Sequence, residues 1–145
     1  MEIYAVKVLL NEIVENIQEE KILHKPVDKI RELVKEKINS HLHYFCQNAC
    51  RSDWFKVKNL GENIFELRIA LNSDWLLRVL FLKEENLFLL FGTYLIKPKA
   101  YDDKHNKNKI SSEYEKQITK LKKIYDDFTG ECKLEYVDLT EYFNC

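Results

Sequence analysis

Ile64-Phe65-Glu66-Leu67-Arg68-Ile69-Ala70-Leu71, then Asn72-Ser73-Asp74, then Trp75-Leu76-Leu77-Arg78-Val79-Leu80-Phe81: two apolar runs of period two flank a polar turn. In the first run Phe65, Leu67, Ile69 and Leu71 alternate with Ile64, Glu66, Arg68 and Ala70, the pattern of a strand with an apolar face. Asn72-Ser73-Asp74 is a turn signal, and the second run puts Trp75, Leu77, Val79 and Phe81 on one side. The stretch therefore predicts an antiparallel hairpin with one arginine inside each strand.

The flanking sequence extends this hairpin. Glu84-Glu85-Asn86 turns the chain again into Leu87–Ile96, whose apolar residues fill both faces. That third strand belongs in the middle of a sheet, covered by helices on one side at least. Upstream, Trp54–Lys58 reads as a preceding strand turned by Asn59-Leu60-Gly61. Short polar turns between such strands predict an antiparallel meander.

Further upstream the period changes to that of a helix. Val6, Leu9, Leu10, Ile13, Val14 and Ile17 predict an amphipathic helix over about 6–22. His24-Lys25-Pro26 breaks it, because proline cannot continue a helix interior. Val27, Ile30, Leu33, Val34, Ile38, Leu42 and Phe45 predict a second helix to about residue 48, forming a hairpin with the first. Downstream of the strands, 101–110 is a polar loop. Ser112 and Glu115 have capping-box spacing at the start of a helix that turns Tyr114, Ile118, Leu121 and Phe128 inward and ends near Gly130. Met1–Ala5 and Lys133–Leu139 are candidate first and last strands. The predicted order is β-α-α-β-β-β-α-β. This is an α+β fold, an antiparallel meander packed against an N-terminal helical hairpin and a C-terminal helix.

Composition bounds the rest. The chain has 145 residues, 46% hydrophobic and 32% charged, with 3 glycines and 2 prolines. That suits one domain over 1–145, with 129–145 an acidic extension or added strand. Collagen-like and low-complexity classes are excluded. The longest apolar run, Leu87–Phe91, is far short of the roughly 20 residues a bilayer requires. No signal peptide is evident at Met1, so the expected location is the cytoplasm, without a membrane. The cysteines at 46, 50, 132 and 145 do not form a disulfide framework, which also suggests a reducing compartment.

A net charge of −1 excludes a uniformly basic nucleic-acid binder. The charge is uneven, however. Residues 97–123 carry nine lysines against four acids, and 124–145 carry one lysine against six acids. The basic segment is either a solvated helix neutralised by its tail or a surface facing a polyanion.

Arg68 and Arg78 are the leading candidate functional residues. Arginine is almost never fully buried unless paired, and neighbouring strands would bring these two together on one face. Two converging guanidiniums call for an anion, and their forked donors suit a phosphate. The alternative is that Arg68 pairs with Glu66 on a solvated sheet surface. Lys97-Pro98-Lys99, Lys56 and Lys58 would add positive charge nearby, or serve as ordinary strand-end lysines. Tyr94 and Tyr101 flank the Lys97/Lys99 segment and could stack on a base. His41, His43, Cys46 and Cys50 resemble metal ligands at first sight, but their spacing suits no usual zinc site, and no metal is expected. Neither a cysteine-based triad nor a phosphate-cradling glycine loop is present in the sequence.

Val57-Lys58-Asn59-Leu60-Gly61-Glu62-Asn63-Ile64-Phe65-Glu66-Leu67-Arg68 resembles a motif of the RelE/HigB/ParE toxin superfamily, "K-x-L-x-x-G-L-x-E-L-R". There the motif is followed by a strand bearing "Y-R-I/V", matched here by Leu77-Arg78-Val79. A lysine-containing strand end comes next, here Ile96-Lys97-Pro98-Lys99, and then a C-terminal helix. The resemblance spans roughly 54–128, is nearest the HigB-like, phage-associated branch, and implies a RelE-like fold. It also implies a type II toxin–antitoxin toxin that inhibits translation, a metal- and cofactor-independent endoribonuclease acting on mRNA at the ribosome, with a cognate antitoxin as partner. Carried over by position, Arg68 and Arg78 clamp the phosphate, and Lys97 and Lys99 add charge or move protons. Lys56, Lys58, Tyr94 and Tyr101 would contact RNA. The sequence departs from the family pattern in four respects: the pI is about 6.4, Pro98 splits the usual lysine pair, no histidine occurs in that segment before His105, and the acidic tail beyond Gly130 is extra. A non-nucleolytic protein on the same scaffold, such as a ParE-like gyrase inhibitor, or an inert phage interaction module, therefore stays open.

Overall fold

In the computed structural model, the described residues are 1–48, 50–51, 56–85, 88–101, 112–130 and 135–140. They form β1 (Glu2–Val6), α1 (Leu9–Glu19), α2 (Val27–Gln47), β2 (Val57–Gly61), β3 (Ile64–Ala70), β4 (Trp75–Glu84), β5 (Phe88–Pro98), α3 (Ser112–Thr129) and β6 (Tyr136–Asp138). The fold is α+β, with a six-stranded sheet in the order β2-β3-β4-β5-β1-β6.

Strands β2 to β5 form the expected antiparallel meander. The Asn72-Ser73-Asp74 turn closes through its own side chain, since Asn72 Oδ1 accepts the amides of Asp74 at 2.9 Å and Trp75 at 2.8 Å. One strand departs from the meander: β1 lies parallel to β5, pairing Glu2 with Phe88 and Ala5 with Phe91, and β6 runs antiparallel to its outer edge.

Three boundaries differ from the sequence reading. α1 stops before Pro26 is reached. The Ile22 amide donates to the Ile17 carbonyl, the Lys21 amide donates to Gln18, and Lys21 takes φ 53°, a Schellman ending made without glycine. β2 occupies Val57–Gly61, and the turn into β3 is at Glu62-Asn63, both at positive φ, as a two-residue hairpin requires. The expected turn at Asn59-Leu60-Gly61 is instead an irregularity inside the strand. The Trp54-Phe55 part of the predicted strand, most of the 101–110 loop and Lys133 lie outside the described residues. Ser112 is itself helical rather than a flanking cap.

The sheet is covered on both sides. Phe65, Leu67, Ile69, Leu77, Val79 and Phe81 face the helical hairpin, where they meet Ile13, Ile17, Val34, Leu42 and Phe45. Phe81 is the centre of this layer, with ring centroids 4.7 Å from Phe91, 5.6 Å from Phe45 and 5.7 Å from Phe65. On the other side α3 packs Ile118, Leu121 and Tyr125 against Ile64, Leu80 and Leu82. α3 comes close because Gly92 is the extra residue of a β5 bulge. A Cβ there would stand 2.8 Å from Leu121 Cδ1 and 3.2 Å from Ile124 Cδ1. No described helix is long and apolar enough to cross a membrane.

Candidate functional site

β3 and β4 place Arg68 directly opposite Arg78. The Arg68 amide donates to Lys56 in the other direction, at 2.8 Å. In an antiparallel sheet that makes Arg68–Arg78 a non-hydrogen-bonded pair, the narrower kind, with side chains close together. Both side chains lie on the α3 face, in register with Glu66, Leu76 and Leu80. Lys58 pairs with Glu66 across β2–β3, and Lys97 pairs with Leu76 across β4–β5, so both belong to this face.

Like charges set directly opposite repel. The anion that answers them is part of the chain. Glu66 is fully buried, and its Oε1 lies 3.7 Å from Arg68 Nε. Arg68 does pair with Glu66, then, but inside the protein and not on a solvated surface. Burial pushes the Glu66 carboxyl above its ordinary range, while the Tyr114 hydroxyl, Lys58, Arg78 and Arg68 favour the ionised form. Burial outweighs them.

The two arginines are not equivalent. Arg78 is fully buried, and its Nη1 donates to the carbonyls of Leu76 at 3.2 Å and Lys97 at 3.3 Å. Its guanidinium also lies 5.9 Å from the Tyr101 ring centroid, within cation–π range. The Arg68 side chain keeps 31% of its surface exposed. Arg68 thus has solvent access, and Arg78 braces the strand ends behind it.

Tyr101 joins the cluster from the segment after β5. The Lys97 ammonium is 5.8 Å from its ring, and Tyr114 of α3 lies 6.3 Å from it, ring to ring. Lys97 also makes an ion pair with Glu113, the first acidic residue of α3, at 2.8 Å. On the β2 side, Lys58 Nζ is 5.9 Å from the Tyr114 ring. Arg68, Arg78, Lys97, Lys58 and Tyr101 therefore gather at one end of the α3 face.

The remaining candidates lie elsewhere. Tyr94 is on the hairpin face opposite Val79, where its hydroxyl donates to the Glu12 carbonyl and accepts from Asn16 of α1. Lys99 is exposed past the end of β5, and its amide donates to Asp74. Lys56 precedes β2, half-buried. Glu113 and Tyr114 were not singled out as site residues by the sequence, because an acid and an aromatic in a helix read as surface and core respectively.

The residues with a superficial likeness to metal ligands do not share a helix face. α2 ends at Gln47, and Cys50 lies beyond it at φ 54°. The His41 ring nitrogen Nδ1 bonds to the Lys37 carbonyl, and among the described residues no group of three or more His, Cys, Asp or Glu is placed to hold a metal ion. Cys46 takes part in a disulfide, which the reading of the cysteine spacing did not expect.

No family model matches the chain, and neither curated proteins nor solved structures give a significant match.

Proposed function

We propose that this protein is a RelE/HigB-like toxin that cleaves mRNA without a metal and is held in check by a cognate antitoxin. The observation that carries this reading is the cross-strand Arg68–Arg78 pair, with Lys97, Lys58 and Tyr101 on the same face of the sheet. In metal-free cleavage the 2′-hydroxyl attacks the adjacent phosphate and the 5′-oxygen leaves. Arg68, whose side chain is partly exposed, would meet the phosphate and stabilise the charge growing on it. Arg78 would fix the end of β5 that carries Lys97, and Lys97 and Lys99 would supply further charge to the RNA backbone. Tyr101 would stack on or orient a base.

A second reading is a non-nucleolytic binding protein on the same scaffold. It is favoured by the burial of Arg78 and Glu66, which leaves Arg68 as the more accessible of the two arginines. Induced expression in bacteria, with mapping of mRNA 5′ ends, separates the two. Growth arrest with new ends, both lost in Arg68→Ala, is the expected result. Arrest without new ends selects the binding protein, and no arrest from soluble protein removes the toxin assignment.

A further inference from the structure

Glu113 is the carboxylate that comes closest to the cations from α3. Lys97 Nζ is 2.8 Å from its Oε2 and 2.9 Å from its Oε1. The Tyr101 hydroxyl donates to Oε2 at 3.4 Å. An ammonium and a phenol directed at two oxygens of one anion would serve equally for the two non-bridging oxygens of a phosphodiester.

We propose that Lys97 and Tyr101 form a subsite for an RNA phosphodiester and that the Glu113 carboxylate is its built-in competitor. The inference rests on reading the cluster as an RNA-facing surface. Three observations support it. Glu113 takes the Lys97 ammonium, which that reading assigns to the RNA backbone, and the hydroxyl of Tyr101, whose ring it sets beside a base. The next residue, Tyr114, is buried and bears on Glu66 and Lys58, so the first turn of α3 is anchored over the cluster by two successive side chains. The pair is also exchangeable: 30% of the Lys97 side chain and 45% of the Glu113 side chain are exposed, and such pairs hold weakly. Glu66, buried against Arg68, is not available for exchange in this way.

The test is binding of a dye-labelled, single-stranded RNA oligonucleotide, fully 2′-O-methylated so that it cannot be cleaved, to the full chain by fluorescence anisotropy. Glu113→Gln is expected to bind about three- to fivefold more tightly than wild type, the scale of one exposed ion pair. Glu115→Gln makes the same charge change at an exposed position of the same helix and is expected to gain much less. Adding Lys97→Ala to Glu113→Gln is expected to remove the gain. Equal gains in the two glutamine variants, or weaker binding by Glu113→Gln, overturn the competitor. If the proteins bind and Glu113→Gln matches wild type, this inference falls while the RNA-facing reading stands. If none binds, the RNA-facing reading falls and takes the inference with it.

Discussion

Under the helical hairpin, β3 and β4 present Phe65, Leu67, Ile69, Leu77, Val79 and Phe81. Under α3, the same two strands present Glu66, Arg68 and Arg78 beside Ile64, Leu80 and Leu82. The first face is held by apolar area and ring packing, which are non-directional and tolerate error. The second buries ions, and each ion there depends on a specific neighbour. A layer built for stability alone has no use for a guanidinium, since well-packed apolar residues usually serve as well as or better than a buried ion pair. The difference teaches that the α3 face keeps its charges at a cost, while the hairpin face carries the fold.

The comparison can be broken most severely on the hairpin side. Phe81→Ala removes the ring at the centre of four and is expected to cost about 3–5 kcal/mol, read from urea denaturation midpoints. On the α3 face, Arg78→Met removes one of the cations around the buried Glu66 and the side-chain donor shared by the Leu76 and Lys97 carbonyls, with an expected cost of about 3 kcal/mol. Adding Glu66→Gln is expected to recover a large part of that loss, whereas adding it to Phe81→Ala should not. A double-mutant cycle measures this coupling directly. Gly92→Ala forces a methyl against Leu121 and Ile124, and about 1–2 kcal/mol is expected in the same assay.

The smallest effect concerns pH. The Glu66 pKa is raised in the folded state, so the folded protein holds this proton more tightly than the unfolded chain does. Its contribution to stability is fully present below the ordinary carboxylate pKa of about 4.3 and is lost as pH rises through the raised value. Stability of wild type relative to Glu66→Gln should therefore fall as pH rises from the ordinary carboxylate pKa of about 4.3 through the raised folded-state value. A flat difference across that range would mean that the surrounding cations hold the carboxylate ionised throughout.

The hairpin at 64–81 was legible because its period of two is unbroken and one face is apolar throughout. The third strand was legible as central for a related reason: its apolar residues fill both faces, although the sequence reading fixed helical cover on one side only. β2 was misplaced because Glu62-Asn63 adopts positive φ without a glycine, while Asn59 and Gly61 look like a turn and lie within the strand. The end of α1 was misplaced for the same reason at Lys21. In the site, two arginines inside apolar strands announced that an anion was needed. The sequence could not say which anion, because Glu66 two residues away and an external phosphate satisfy the same rule. Tyr94 and Tyr101 both lie near Lys97 in sequence, but strand alternation sends Tyr94 to the hairpin face.

The position of β1 bears on how the chain is assembled. It lies between β5 and β6, with Glu2 against Phe88 and Tyr4 against Asp138. During synthesis this strand leaves the ribosome long before either neighbour exists, so it waits unpaired while the meander, whose contacts are local, can already form. Closing such long loops is slow, because their entropy is spent before the contacts are made. By contact order alone, β3–β4 is expected to pair before β1, whose insertion joins the two ends of the described chain.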